Sequence, residues 1–453
     1  MNRLMASCTD TGAARPVESS RLYRELAIIS KCADPSFWTT ISISQGGSSM
    51  ACLRPDKRSA VKWFLRFFTA GLVLALAACS GEDLGDYKQQ TLDEIAVERT
   101  RSLNVPSVSI AVRNSDGQLQ TVVQGVENLQ TGTLASVDSL YRVGSLTKSF
   151  VATKVLQMVE DGLFSLGDSL DELLPEEAAV LINYRPMEVQ LFNLLDHTSL
   201  ICSFTEMPEW SGKFTSDPTY RWSPDELLAL VAPHDIESCN EEDQTWHYSN
   251  TNYVLLGKII ERYDPFNRSY GQAIAEDILA PLGLDQTFIP SYHFPDELRS
   301  IRGYINWDFK LAPLEDVTAI DWSFTWSSGE FLSTPTDLTT WVKSLMTPGV
   351  VLEAETLAQM TDTVDTGIEG GYRYGLGVME ITTMESIGNA GGHPGFDCTA
   401  QYLREFDQAV ASCENRTLAN HQKTDTAFFG SILRSLHPEK NYPIMPGTFL
   451  PTD

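Results

Sequence analysis

Basic side chains are scarce in this sequence: 33 Lys and Arg stand against 60 Asp and Glu, giving a formal net charge of −27 at pH 7. A surface of that sign repels phosphate backbones and anionic membrane faces, which excludes nucleic acid as a partner. Long apolar runs are also missing, since the longest uninterrupted one, residues 67–78, is too short to cross a bilayer as a helix. There is no Cys-x-x-Cys and no close Cys/His spacing, so the usual zinc signatures are absent and neither a metal nor another cofactor is expected. Internal repeats are lacking, and the one hint of low complexity is the acidic stretch at 237–243.

What is present begins with an address. Residues 63–78 are apolar apart from Arg66, Lys57, Arg58 and Lys62 precede them, and Leu76-Ala77-Ala78-Cys79 resembles a bacterial lipoprotein cleavage box. Met50 lies just upstream. The pattern predicts a non-native or dispensable leader over 1–49, a signal peptide over 50–78, and a mature chain starting at a lipidated Cys79. Ser80 resembles the sorting signal of outer-membrane lipoproteins, so the protein is expected to be exported, lipid-anchored and periplasm-facing. Removing residues 1–78 takes away ten basic and five acidic side chains and leaves a net charge of −32.

The exported part retains Cys202, Cys239, Cys398 and Cys413 besides Cys79. An even count in an oxidising compartment favours two disulfides. If residues 405–406 form a hairpin loop, Cys398 and Cys413 fall opposite each other on the two strands, in reach of a bridge. The second pair is then Cys202–Cys239.

Leu92, Ile95, Ala96 and Leu103 predict an amphipathic first helix. Val108, Ile110 and Val112 alternate as a strand, residues 114–117 turn, and residues 119–126 return. After a long Trp- and Pro-rich stretch, strands are predicted at 374–381, 387–391, 396–403 and 408–413, with a last helix at 424–436. Two helix starts are legible in between, at Ser223-Pro224-Asp225-Glu226 and Thr334-Pro335-Thr336-Asp337.

The candidate chemistry starts at Ser145-Leu146-Thr147-Lys148. Helical residues i and i+3 share a face, so the Lys148 amine reaches the Ser145 hydroxyl and takes its proton if burial lowers the lysine pKa. Ser-x-x-Lys alone arises by chance roughly once in a chain of this length. Here Gly144 precedes the serine, and Leu146, Phe150, Val151, Val155, Met158 and Val159 form a core-facing stripe ending at Gly162. Ser145 thus opens a buried helix, where unpaired N–H groups stabilise an oxyanion. Tyr248-Ser249-Asn250 adds a phenol suited to proton relay and a carboxamide suited to holding a substrate amide. The Gly-rich segment from Gly388 to Phe396 permits close backbone approach to a ligand.

These three boxes, in this order, resemble the serine β-lactamase and penicillin-binding protein superfamily. Tyr-x-Asn points to the branch of class C β-lactamases, D-alanyl-D-alanine carboxypeptidases and related esterases. Leu194-Leu195-Asp196-His197-Thr198-Ser199 is similar to the family's "LLxHTSG" turn, with Leu200 in place of its glycine. Ser328-Gly329 with Leu332-Ser333-Thr334 and Asp337-Leu338 is similar to "xxGGLxSTxxDL", and Tyr374-Gly375-Leu376-Gly377 to "YGxG". The resemblance spans residues 86–436.

It implies an α+β fold in which an antiparallel β-sheet is flanked by N- and C-terminal helices and carries a mostly helical inserted lobe. Residues 79–453 would form one catalytic module, with an α/β lobe from 86–145 and 330–440, a helical lobe from 146–329, and the active site between them. It further implies Ser145 as nucleophile, Lys148 and Tyr248 sharing the proton work, Asn250 on the substrate, and the N–H groups of Ser145 and Gly392 as oxyanion hole. The third box is normally Lys or His, any residue, then Gly. Aligning its downstream Gly-x-Pro-Gly-Phe puts Asn389-Ala390-Gly391 in the box and His393 on the turn nearby. The register His393-Pro394-Gly395 restores a histidine but sets proline in a central strand, so the first is preferred, with Asn389 opposite Tyr248.

The expected activity is a serine hydrolase working by acyl transfer on a small-molecule or peptide substrate: an ester, an amide or a D-amino-acid peptide. A catalytically impaired scaffold lipoprotein that keeps the fold is the alternative favoured by Asn389, and a true class C-type β-lactamase is a third. Without the family's cation at 389, substrates bearing a free carboxylate are expected to fare worse than neutral esters. Trp246, Trp322 and Trp326 read as core aromatics rather than pocket lining.

Overall fold

The structure, a computed structural model, describes residues 90–294, 301–308, 310, 312–418, 421–440 and 442. The predicted leader (1–49), signal peptide (50–78) and lipidated Cys79 lie outside these residues.

Helix α1 (Leu92–Ser102) opens on a capping box in which the Thr91 side chain and Glu94 each accept the other's backbone N–H, satisfying two donors a helix start leaves orphaned. The chain then enters the sheet through β1 (Ser107–Arg113), β2 (Leu119–Asn128) and β3 (Thr133–Leu134). Helices α2 (Thr147–Glu160), α3 (Asn250–Tyr263) and α4 (Pro335–Leu345) follow, joined by shorter helices and loops. The chain returns to the sheet as β4 (Val364–Asp365), β5 (Tyr372–Tyr374), β6 (Met379–Ile381), β7 (Ser386–His393), β8 (Phe396–Leu403) and β9 (Gln408–Glu414), and α5 (His421–Leu436) follows. The nine strands run antiparallel in the order β3-β2-β1-β9-β8-β7-β6-β5-β4, the α+β arrangement expected.

Helices cover both faces of this sheet. Val108, Ile110 and Val112 pack with Leu92, Ile95, Phe429, Ile432 and Leu433 of α1 and α5. Ala400 and Ala411 belong to the larger core around α2, α3 and α4, where Trp341 stacks on Phe150 at 3.9 Å. Each ring buried this way contributes about 1.5–3 kcal/mol. Double coverage explains why β9 is buried at every position instead of alternating as a one-sided strand does.

Both expected disulfides are present. Cys398 and Cys413 are direct partners across β8 and β9, and Cys202 is bonded to Cys239. One sequence expectation needs correcting. The single strand predicted over 374–381 is a hairpin of β5 and β6, because residues 375–378 turn and Gly377 adopts φ +84°. Leu200, which stands where the similar turn has glycine, adopts φ +58°, a left-handed conformation that costs an L-residue about 1–2 kcal/mol.

Candidate active site

Ser145 lies in the short 3₁₀ turn Gly144–Leu146 that runs directly into α2. Strand β7 passes against this turn with no room for side chains between the two backbones. A Cβ added to Gly391 would lie 2.1 Å from the Val143 carbonyl oxygen and 2.4 Å from the Ser145 nitrogen, and one added to Gly144, which also has φ +54°, would lie 2.9 Å from the Gly392 nitrogen. Glycine at both positions is what lets the Ser145 and Gly392 amides come side by side.

Two side chains meet the Ser145 hydroxyl. The Lys148 Nζ lies 3.2 Å from Ser145 Oγ, 2.8 Å from Asn250 Oδ1 and 2.7 Å from the Ser328 carbonyl oxygen. No carboxylate is among these partners. The amine is fully buried, and burial holds its pKa well below the ordinary 10.5. In its neutral form the amine has two N–H bonds, which the Asn250 and Ser328 oxygens accept, and one lone pair, which is left for the Ser145 hydroxyl proton. On the other side of Oγ the Tyr248 phenol donates at 2.7 Å. Burial raises its pKa well above 10.0, with Tyr374 adding to the shift and the Ser145 bond opposing it, so the phenol stays protonated. Asn250 is itself fixed, its Nδ2 donating to Thr205 Oγ1 at 3.3 Å.

Along β7, residues 389, 391 and 393 share a face. Gly391 touches the nucleophile turn, and its two neighbours on that face flank the turn. Asn389 is buried at 4% exposure, donates from Nδ2 to the Gly377 carbonyl at 2.9 Å and accepts the Ala390 N–H at 2.8 Å. It lies beside the Tyr374 hydroxyl, whose ring centroid is 6.3 Å from that of Tyr248. Asn389 does not line the cleft, as the sequence led us to expect; its carboxamide is engaged inside the protein. His393 lines it instead, with Nε2 2.7 Å from the Gly329 carbonyl and its ring 4.8 Å from Trp322. Because that carbonyl only accepts, Nε2 carries the proton. Burial, opposed by the bond to the Gly329 carbonyl and reinforced by the positive charge of Arg142, pushes His393 down to about 3, so the ring is neutral. Pro394 falls in the turn between β7 and β8, outside both strands.

A cavity of about 190 Å³ opens beside Ser145, lined by Gly392, His393 and the aromatic side chains of Phe204, Trp210, Phe214 and Phe324. Sequence reasoning missed these four rings. Trp246, Trp322 and Trp326 are not among the residues that line the cavity, and Trp326 packs edge-on against Tyr270. Among the described residues one group, Glu206, Cys239 and His247, brings metal-type ligand atoms within 4.8 Å of one another. Cys239 is bonded to Cys202, which leaves two ligands, fewer than zinc sites use.

Residues 92–423 match the family model described as β-lactamase. Penicillin-binding protein 4 of Amycolatopsis lactamdurans is 27% identical over 383 residues, covering 80% of this chain and 92% of that protein. Several other curated relatives are matched over about half of their own length or less. Among solved structures, a D-stereospecific amidohydrolase from Streptomyces sp. is 31% identical with a TM-score of 0.62, covering 74% of this chain and 96% of that one. The D-amino acid amidase of Ochrobactrum anthropi SV3, 23% identical over 77% of this chain and 97% of its own, shares the fold with a TM-score of 0.65.

Proposed function

The chain belongs to the β-lactamase family of serine hydrolases, and from that premise we propose that it cleaves an ester or amide carbonyl through a covalent acyl-enzyme formed on Ser145. The observation that carries the reading is the pair of buried groups that meet Oγ: the Lys148 amine, its pKa held well below the ordinary value by burial, at 3.2 Å on one side, and the Tyr248 phenol, its pKa raised, at 2.7 Å on the other. Ser145 Oγ bonds to the carbonyl carbon as its proton passes to Lys148 Nζ. The carbonyl oxygen gains negative charge between the Ser145 and Gly392 N–H groups. The bond to the leaving oxygen or nitrogen then breaks, and that atom receives a proton from the Tyr248 hydroxyl, while the protonated Lys148 amine returns one to the phenolate. Water attacks the acyl carbon, the acid departs, and Oγ regains its hydrogen. The similarity to the Streptomyces amidohydrolase supports including amides among the substrates.

A fluorophosphonate probe tests the reading on the purified protein. Covalent labelling that Ser145→Ala abolishes, with the circular-dichroism spectrum unchanged, is expected; persistent labelling of that variant would assign the nucleophile to another residue.

The lipoprotein-like segment ending at Cys79 supports a further part of this proposal: the hydrolase is exported and held by a lipid anchor, facing the periplasm from the outer membrane. The two disulfides support an oxidising compartment.

A further inference from the structure

We infer that the substrate group bound in the cavity beside Ser145 is an uncharged aromatic group on the acyl side of the scissile carbonyl. The inference rests on the acyl-enzyme reading and names the class of substrate it acts on.

Three observations carry it. First, part of the lining is a built aromatic surface. Trp210 and Phe214, one turn apart on the short helix Pro208–Ser216, stack at 5.0 Å with 17° between their planes. Phe324, from a segment more than a hundred residues later in sequence, meets both edge-on at 5.4 and 5.6 Å. Such a group offers one flat face and several ring edges, geometry that suits another ring. Second, no Asp, Glu, Lys or Arg is among the described residues lining the cavity. Asn389, at the position where relatives carry a cation, is turned to Gly377. A carboxylate placed here would lose its hydration with no cation among the lining residues to replace it, inside a protein whose net charge of −27 already repels it.

Third, the two flanks of Ser145 differ in role. The leaving atom must lie within reach of the groups that protonate it, Tyr248 and Lys148. Neither lines this cavity; both contact Oγ from the protein interior. The cavity therefore holds what stays bonded to Ser145 after the leaving group has gone. Asn250 lines it too, so a carboxamide lies beside the acyl chain.

Two substrate pairs decide the matter on the wild-type full chain. 4-Nitrophenyl phenylacetate and 4-nitrophenyl acetate share a leaving group, and kcat/KM is expected to favour the phenylacetyl ester by roughly tenfold or more, the worth of a few buried carbons. Methyl phenylacetate and benzyl acetate are isomers that carry the ring on the acyl and the leaving side, and the first is expected to be the faster. Trp210→Ala and the milder Phe324→Leu should each lower the phenylacetyl-to-acetyl ratio, through KM more than kcat. A phenylacetyl-to-acetyl ratio near one, or faster cleavage of benzyl acetate, in a protein that fluorophosphonate still labels at Ser145 overturns this inference and leaves the hydrolase reading intact. Absence of labelling overturns both.

Discussion

At Lys148 two influences oppose each other. Its Nζ lies 4.9 Å over the Tyr248 ring and 5.2 Å over that of Tyr253, and such contacts favour a cation by about 0.5–2 kcal/mol. Complete burial without a carboxylate partner favours the neutral amine and prevails. The pH dependence follows with a definite sign. Acylation needs Lys148 unprotonated, so its rate should fall as pH drops through the depressed lysine pKa. It should stay level up to pH 10, because Tyr248 keeps its proton. Single-turnover kinetics with 4-nitrophenyl acetate would reveal this profile, and a decline beginning on the alkaline side below pH 10 would mean that the phenol works in another ionisation state. Lys148→Ala should lower the acylation rate by about 10²–10⁴. The residues of this network were legible in the sequence because helix geometry fixes i and i+3 and because the boxes come in a known order. The side chain of Asn389 was not, since the Gly377 carbonyl it binds comes from a turn hidden inside what reads as a continuous apolar strand.

Among the elements, the β8–β9 hairpin shows how far local rules reach. Strand pairing advances both strands by one residue at a time, so one loop position fixed the Cys398–Cys413 pairing. That bridge closes a 15-residue separation, for which chain entropy alone gives about 3 kcal/mol. Cys398→Ser/Cys413→Ser should therefore lower the urea midpoint by an amount equivalent to roughly that energy. An unchanged midpoint would mean that the sheet holds the hairpin without the bond. Cys398 also pairs with Gly391 on β7, which makes activity of the double variant a second readout, of how well β7 is held against the nucleophile turn. The helix starts at Ser223 and Thr334 were legible for the same reason as the hairpin, since each cap bond spans three residues. The β5–β6 hairpin was not: its turn uses Gly375 and Gly377 inside an otherwise strand-like run.

For the molecule as a whole, the sequence carried the fold class but not the pocket. Periodicity and turn residues report neighbours along the chain, whereas the aromatic wall joins residues 204–214 to residue 324 through tertiary packing alone. The proposed anchor is testable at this scale. The full chain made in a Gram-negative host should partition into detergent with a diacylated Cys79, and Cys79→Ser should remain unprocessed or enter the aqueous phase. Recovery of wild-type protein in the aqueous phase with residue 1 intact would refute it.

The backbone contact between β7 and the Ser145 turn, permitted by Gly144 and Gly391, also divides the labour of adaptation. One side of the reaction centre is a fixture, for any side chain added there pushes two main chains apart and spoils the chemistry for every substrate alike. The aromatic wall, carried by a nine-residue helix and one distant loop, touches the reacting atoms nowhere. Inheritance or a designer can therefore rewrite which molecules this protein accepts by altering that helix alone, while the machine that breaks them is passed on unchanged.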